Sequence, residues 1–340
     1  MDNLFINKKT WQSFTEAEME EYVNSVFSYY RANGFPYFPT DKKTRDNEFR
    51  KLMNYDASGV LRDGVVNQTM HGLSLAWSYM PHSWNVVCGN YKTPMEVFNN
   101  DDLFLQVIRK RIRMGDNMSD NGIRKMLKMF TGTQAVSNFR PTAACTLYEN
   151  YAGKGSTVLD MSMGYGGRFL GAMKAEVNYV GFDPSIEQYE GVKNMYNDFK
   201  SHTNQTFEFH NVGSEFISLE SGSIDFAFTS PPYYDTEKYS NEESQSYIKY
   251  PTKEKWLNEF LGQTFDNVKR CLRDGGSMAI NIANVKSYPD LESDVVDLAK
   301  KIGYNHTDTL ALSLSNSTFK KGKCAFKYEP IFIFKKFKGA

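Results

Sequence analysis

Cysteine is scarce in this 340-residue chain: Cys88, Cys145, Cys271 and Cys324 lie far apart, with no CxxC pair and no Cys/His cluster. That spacing argues against a zinc site and a disulfide framework, so a reducing, cytoplasmic setting without bound metal is expected. Long apolar runs are also missing. None approaches the roughly 18 residues of a membrane span, and no N-terminal stretch resembles a signal peptide, so a soluble chain with no membrane partner is expected. Nor is there an excess of charge: 40 basic and 40 acidic residues cancel, which excludes a globally basic nucleic-acid binder but leaves room for a local patch. Internal repeats and low-complexity linkers are absent. What the chain has in quantity is aromatic: 25 Phe and 21 Tyr, the latter suited to surfaces that stack on rings and also hydrogen-bond.

Two textures follow one another. Residues 1–135 read as irregular and mainly helical. "FTEAEMEEYVNSVFSYYRANG" has a capping Thr15 and a stop at Gly34, and "NNDDLFLQVIRKRIRMG" has Asn100 or Asp101 as cap and Gly115 as stop. The stretch between them reads only as helix and loop. Residues 136–340 alternate. A helix from about Thr142 to Gly153 is followed by strands "STVLDM", "VNYVGFD", "TFEFHNV", "SIDFAFT" and "SMAINIANV". Helices separate most of them, including one over "KEKWLNEFLGQTFDNVKRCLRDGG" that is expected to end at its glycine pair. Five such units imply a mostly parallel, doubly wound α/β sheet. The closing segments "HTDTLALSLSN" and "KYEPIFIFKK" read as two antiparallel edge strands. A terminal pair of this kind marks the class I methyltransferase variant of the Rossmann-like fold, where a dehydrogenase would continue with parallel units.

"VLDMSMGYGGRF" places Asp160 at a strand end, then Gly164, Gly166 and Gly167 before a helix. Glycines here let backbone approach a ligand closely. Asp183 closes the next strand, about 20 residues on, where a carboxylate can accept from a ribose diol. A pyrophosphate would be repelled by Asp160, whereas the α-ammonium of a methionine moiety would be received by it. The expected cofactor is therefore S-adenosylmethionine rather than NAD.

The second feature is "IDFAFTSPPYYD". Two prolines cannot extend a buried strand, so the strand stops near Thr229 and the chain leaves it in a preset shape. Alone this would be a rigid turn. In an open parallel sheet, however, it leaves the carboxyl end of strand four, beside strand one and its glycine loop, which is where ligands bind. "DMSMGYGG" followed by "TSPPYY", with "NFRPTAACTLYENY" before the first strand, resembles the amino-methyltransferases of DNA, which modify cytosine N4 or adenine N6. The resemblance covers residues 137–340. It implies that Ser230 and the Pro231 carbonyl, held by Pro232, accept from the exocyclic amine, that Tyr233 stacks on a flipped base, and that Thr142, with Phe139 and Arg140 beside it, helps bind the cofactor. Cytosine N4 stands slightly ahead of adenine N6. Ser162 replaces the usual Phe of the glycine motif, and the long insertions that usually read DNA are missing.

That leaves the N-terminal region to contact DNA. Residues 109–128 carry Arg109, Lys110, Arg111, Arg113, Arg124, Lys125 and Lys128 against Asp116 and Asp120, a cluster suited to a phosphate backbone or simply to a solvated helix face. Tyr234 is a further candidate for contact with the nucleic acid, and the Tyr-rich stretch 233–251 around it would close over the base or form a surface loop. Asn211 and Ser214 are weaker candidates for the cofactor's adenine edge, Asp235 reads as an exposed loop acid or an aid to the amine, Asn284 is a weak pocket candidate, and the five histidines show no ligand spacing. Two rivals stand beside the DNA reading: methylation of an RNA base, and a non-catalytic nucleic-acid-binding subunit.

Overall fold

The computed structural model describes residues 13–115, 117–314, 319–320, 323–324 and 327–336; Asp116 of the basic segment lies outside them. The chain divides into two compact units, Met1–Pro39 with Pro81–Ser137, and Thr40–Met80 with Asn138–Ala340. The stretch 40–80, grouped with the N-terminal region on sequence, thus belongs with the larger unit.

In the smaller unit the helices Glu16–Asn33, Pro94–Asn99, Asp101–Arg113 and Asp120–Met129 enclose a core that includes Val26, Tyr30, Phe98, Phe104, Ile108 and Leu127. Thr15 and Glu18 form a reciprocal capping box, and Asn100 accepts from the Leu103 N–H. The Tyr30 hydroxyl donates to the Met118 carbonyl (2.9 Å) and to Asp120 (3.0 Å), satisfying a polar group in that core.

The larger unit is built on one sheet. Its strands are β1 (Leu61–Arg62), β2 (Val65–Val66), β3 (Thr157–Asp160), β4 (Asn178–Phe182), β5 (Phe207–His210), β6 (Ile224–Thr229), β7 (Leu272–Asn281), β8 (Tyr304–Ser313) and β9 (Tyr328–Lys336), in the order β1-β2-β8-β9-β7-β6-β3-β4-β5. Strands β5, β4, β3, β6 and β7 are parallel, and β9 runs antiparallel to both β7 and β8. This is the Rossmann-like methyltransferase arrangement. The last strand is inserted rather than placed at an edge: its apolar run Ile331–Phe334 is buried on both faces and paired with β7 on one side and β8 on the other.

Period-two alternation assigns the faces. Leu159, Ala227 and Ile280 join Trp256, Phe260, Phe265, Leu291 and Val295 in one core. Phe226 and Phe228 point the other way, onto Tyr148 and Tyr151 of the helix Pro141–Tyr151. Residues 253–271 are helical with a π stretch at Trp256–Gly262. The glycine pair does not end this helix. Gly275 and Gly276 lie within β7, where Gly275 has φ 77° and the register against β6 shifts.

Residues 40–80 supply more than helix and loop. Asp63 and Gly64, both at positive φ (51° and 75°), turn a two-residue hairpin between β1 and β2, and β2 adds in parallel to β8, covering the sheet edge. Tyr79 donates to Asp198 at 2.5 Å under the Arg45 guanidinium, and Lys174 donates to the Met53 carbonyl at 3.0 Å, fastening the segment to the helices Ile186–Phe199 and Gly167–Ala175.

Candidate active site

The order of strands reverses between β3 and β6, which pair through Val158–Phe226 and Leu159–Ala227. A crevice is expected at their carboxyl ends, and three segments meet there. Asn138 donates to the Tyr165 carbonyl (2.9 Å) and accepts from the Gly167 N–H (3.2 Å), while the Phe139 ring packs edge-on against Phe228 at 5.0 Å. A Cβ on Gly167 would lie 1.8 Å from the Phe139 carbonyl oxygen, so this glycine serves close packing of its helix rather than an open ligand face. Gly166 caps that helix at φ 76°. Gly164 is open: a Cβ there would meet nothing nearer than 3.8 Å, and its N–H donates to Asp183 at 2.8 Å.

Asp160 differs from expectation. It is wholly buried; its Oδ2 accepts from Arg168 Nε (2.9 Å) and the Tyr179 hydroxyl (2.8 Å), and its Oδ1 from the Ser162 N–H (3.2 Å). Arg168 is buried too and also donates to the Ser162 carbonyl. Burial opposes the guanidinium charge, but Asp160, together with Tyr148 and Tyr179, outweighs it and the pKa is raised. The carboxylate is therefore an internal anchor rather than a free receiver for an ammonium group. Thr142 is corrected likewise: it is fully buried and hydrogen-bonds Thr69 at 2.9 Å. Arg140 donates to the Asn138 carbonyl at 2.9 Å, and burial lowers its pKa.

Asp183 is where the sequence places it, one residue beyond β4. Its two oxygens accept from the Gly164 and Ser185 N–H groups (2.8 and 3.0 Å). Burial pushes its pKa up to about 7 against the pull of those two donors, with Asp160 adding to the rise and Arg168 opposing it. Asn211 donates to the Asp183 and Pro184 carbonyls, tying the loops after β4 and β5 together; Ile186 at the start of the helix that follows β4 and Val212 in the loop after β5 are exposed. Ser214 is buried against Thr264.

At β6 the strand stops at Thr229, as the prolines require. Ser230, Pro232 and Tyr233 are half-buried and Pro231 is buried. Tyr234 has φ 59°, donates to the Pro251 carbonyl at 2.9 Å and packs edge-on against Trp256 and Tyr288, so it braces the loop. The following stretch is organised by its own bonds, Tyr247 donating to the Ser240 carbonyl at 2.7 Å, and Tyr239 lies 6.2 Å from Tyr165 of the glycine loop, bringing the two motifs side by side. Asp235 is exposed, and Asn284 exchanges hydrogen bonds with Glu292. Sequence reasoning does not single out Asn138 or Arg168; their place within the quoted segments "NFRPTAACTLYENY" and "VLDMSMGYGGRF" is the local signal.

In the smaller unit the basic cluster does not form one face. Arg111 is buried and donates to the Asn117 carbonyl, and Arg124 is buried and donates to the Pro36 and Tyr37 carbonyls. Arg109 pairs with Glu20, Lys110 bonds Thr131, and Lys128 lies over the Trp84 ring. Arg113 and Lys125 are exposed.

No family model matches the chain, and no curated protein matches it. Solved structures that match part of the chain include a SAM-dependent methyltransferase from Methanosarcina mazei (13% identity, 56% of this chain, 97% of that one, TM-score 0.40). A TehB-like SAM-dependent methyltransferase from Corynebacterium glutamicum gives 13% identity, 64% and 96% coverage and a TM-score of 0.40. The magnesium protoporphyrin IX methyltransferase of Synechocystis, with bound SAM, gives 15%, 57%, 76% and 0.40. The fold assignment rests on the strand order itself.

Replacing Arg168 with Ala would strand the Asp160 carboxylate in the interior. We expect a loss of roughly 3–5 kcal/mol in chemical denaturation; a loss below about 1 kcal/mol, as for a solvated pair, would contradict the assignment. Asp183 offers a second check. Its raised pKa means the ligand-free fold holds this proton more tightly than the unfolded chain. Its stabilising contribution is present below about 4 and is lost as pH rises through about 7. Asp183→Asn does not titrate, so it should gain on the wild type in urea midpoint between about pH 4 and about pH 7 and level off above; a constant difference would contradict the shift.

Proposed function

We propose that this chain transfers a methyl group from S-adenosylmethionine to an exocyclic amino nitrogen of a DNA base, cytosine N4 ahead of adenine N6. The observation that carries the reading is the meeting of Ser230-Pro231-Pro232-Tyr233 at the end of β6 with the glycine loop at the end of β3, in neighbouring parallel strands. The adenosine part of the cofactor suits the residues present. Asp183 offers a carboxylate for the ribose diol beside the open Gly164, and Ile186 and Val212 offer apolar flanks for a purine. Asp160 does not suit the ammonium, being engaged by Arg168 and Tyr179.

When bound, S-adenosylmethionine supplies an activated methyl on a sulfonium. The chain's part is positioning. The Ser230 hydroxyl and the Pro231 carbonyl accept from the amine, which turns the nitrogen lone pair toward the methyl, and the Tyr233 ring supports the flipped base. The proline pair fixes these acceptors without an ordering cost at the moment of reaction. Backbone contacts to nucleic acid fall to the exposed Arg113 and Lys125, a narrower set than the sequence suggested.

The test is incubation of the full chain with methyl-labelled S-adenosylmethionine and, separately, duplex DNA, single-stranded DNA and RNA, followed by digestion to nucleosides and mass spectrometry. N4-methylcytosine or N6-methyladenine from DNA is expected. Ser230→Ala should lose transfer by about two orders of magnitude while cofactor affinity stays within a few-fold. Label in RNA alone would move the substrate, and no label in any nucleic acid would overturn the proposal.

A further inference from the structure

Behind the clamp formed by Ser230-Pro231-Pro232-Tyr233, the Tyr233 hydroxyl donates to Glu329 Oε2 at 3.3 Å and stands 3.5 Å from the Asn281 carbonyl oxygen. Ser230, three residues earlier on the same turn, acts on that hydroxyl in the sense that eases its ionisation, opposite to the effect of burial. Glu329 lies in β9, and the buried Asn281 at the end of β7 donates to the adjacent Pro330 carbonyl at 3.0 Å, fixing the backbone that carries the carboxylate. A second carboxylate, Glu237, acts on both the Tyr233 hydroxyl and Glu329, and Glu292 acts on Glu329 as well. Carboxylates gathered in a half-buried place repel one another. A tyrosine that only stacked on a base would have no use for such a neighbourhood at its hydroxyl.

We propose that Ser230, Tyr233 and Glu329 form a relay that removes the proton an amine must lose on methylation. This rests on the amine chemistry proposed above. As the nitrogen–carbon bond forms and the carbon–sulfur bond breaks, the bonding pair stays on sulfur, which becomes neutral, and the nitrogen takes the positive charge. One N–H proton passes to Ser230 Oγ, the Ser230 proton to Tyr233 Oη, and the Tyr233 proton to Glu329 Oε2. Serine and tyrosine end neutral, as they began. Glu329 ends protonated and, being half-buried, returns its proton to solvent. Glu329 acts through Tyr233 and is a positioning residue and final acceptor rather than a group that touches the base. Burial raises its pKa, which the Tyr233 and Asn281 hydrogen bonds resist and Glu292 reinforces; that direction makes it a stronger proton acceptor.

The relay separates the tyrosine hydroxyl from the tyrosine ring, and so can be tested. With the full chain, methyl-labelled S-adenosylmethionine and duplex DNA, Tyr233→Phe and Glu329→Gln should each lower kcat by roughly 100-fold, the lower end of general acid–base effects, with KM within a few-fold. The double variant should be no slower than either single one, and Glu329→Asp should recover part of the loss that Glu329→Gln suffers. Binding of S-adenosylhomocysteine, measured alongside, certifies that each variant is folded. Wild-type kcat in Tyr233→Phe, or multiplicative losses in the double variant, would overturn the relay and leave the methyl-transfer reading standing. A wild type that labels neither DNA nor RNA would overturn that reading, and the relay with it.

Discussion

A carboxylate and a guanidinium, both withdrawn from water, sit where β3 gives way to the glycine loop. Asp160 and Arg168 hold each other, and through Tyr179 and the Ser162 backbone they fix the two ends of that loop and the neighbouring β4. Such a pair adds little net stability compared with a well-packed apolar substitute, since both ions give up their hydration. Its effect is on shape. With the loop held from beneath, the Gly164 N–H is presented to Asp183, and Asp183 is left partly short of donors at the end of β4. Asn138 does the same from above, bridging Tyr165 and Gly167.

The second constraint is the pair of prolines after β6. They end a strand that is paired on both sides, by β3 and β7, and they set the direction in which Ser230 and Tyr233 leave it. The strands that flank the clamp then supply what local sequence cannot: Asn281 from β7 and Glu329 from β9 reach the Tyr233 hydroxyl across separations of 48 and 96 residues. The insertion of β9 between β7 and β8 thus bears on the site as well as on the fold.

The features legible in the sequence are those whose cause is local. Strand–glycine–helix order, the stop at Thr229 and the placement of Asp183 follow from backbone chemistry within a dozen residues, and the structure has them. The features that are not legible depend on partners far along the chain. Asp160 is expected to face a ligand, yet Arg168 and Tyr179 claim it. Thr142 reads as a helix-start binding residue, yet Thr69 covers it, and Arg111 and Arg124 read as surface cations, yet backbone carbonyls bury them. The hairpin around Asp63 and Gly64 is a different case. "LRDGVV" carries an Asp-Gly turn signal between branched apolar residues, readable on its own terms.

If methyl donor and acceptor meet across β3 and β6, Asp183 holds one and Ser230 the other. A crystal structure of the full chain with S-adenosylhomocysteine would show whether they do. We expect the ribose hydroxyls on the Asp183 carboxylate, the adenine between Ile186 and Val212, and the sulfur directed toward Ser230. A ligand bound elsewhere, or one whose sulfur points away from the Ser230-Pro231-Pro232-Tyr233 turn, would contradict that arrangement.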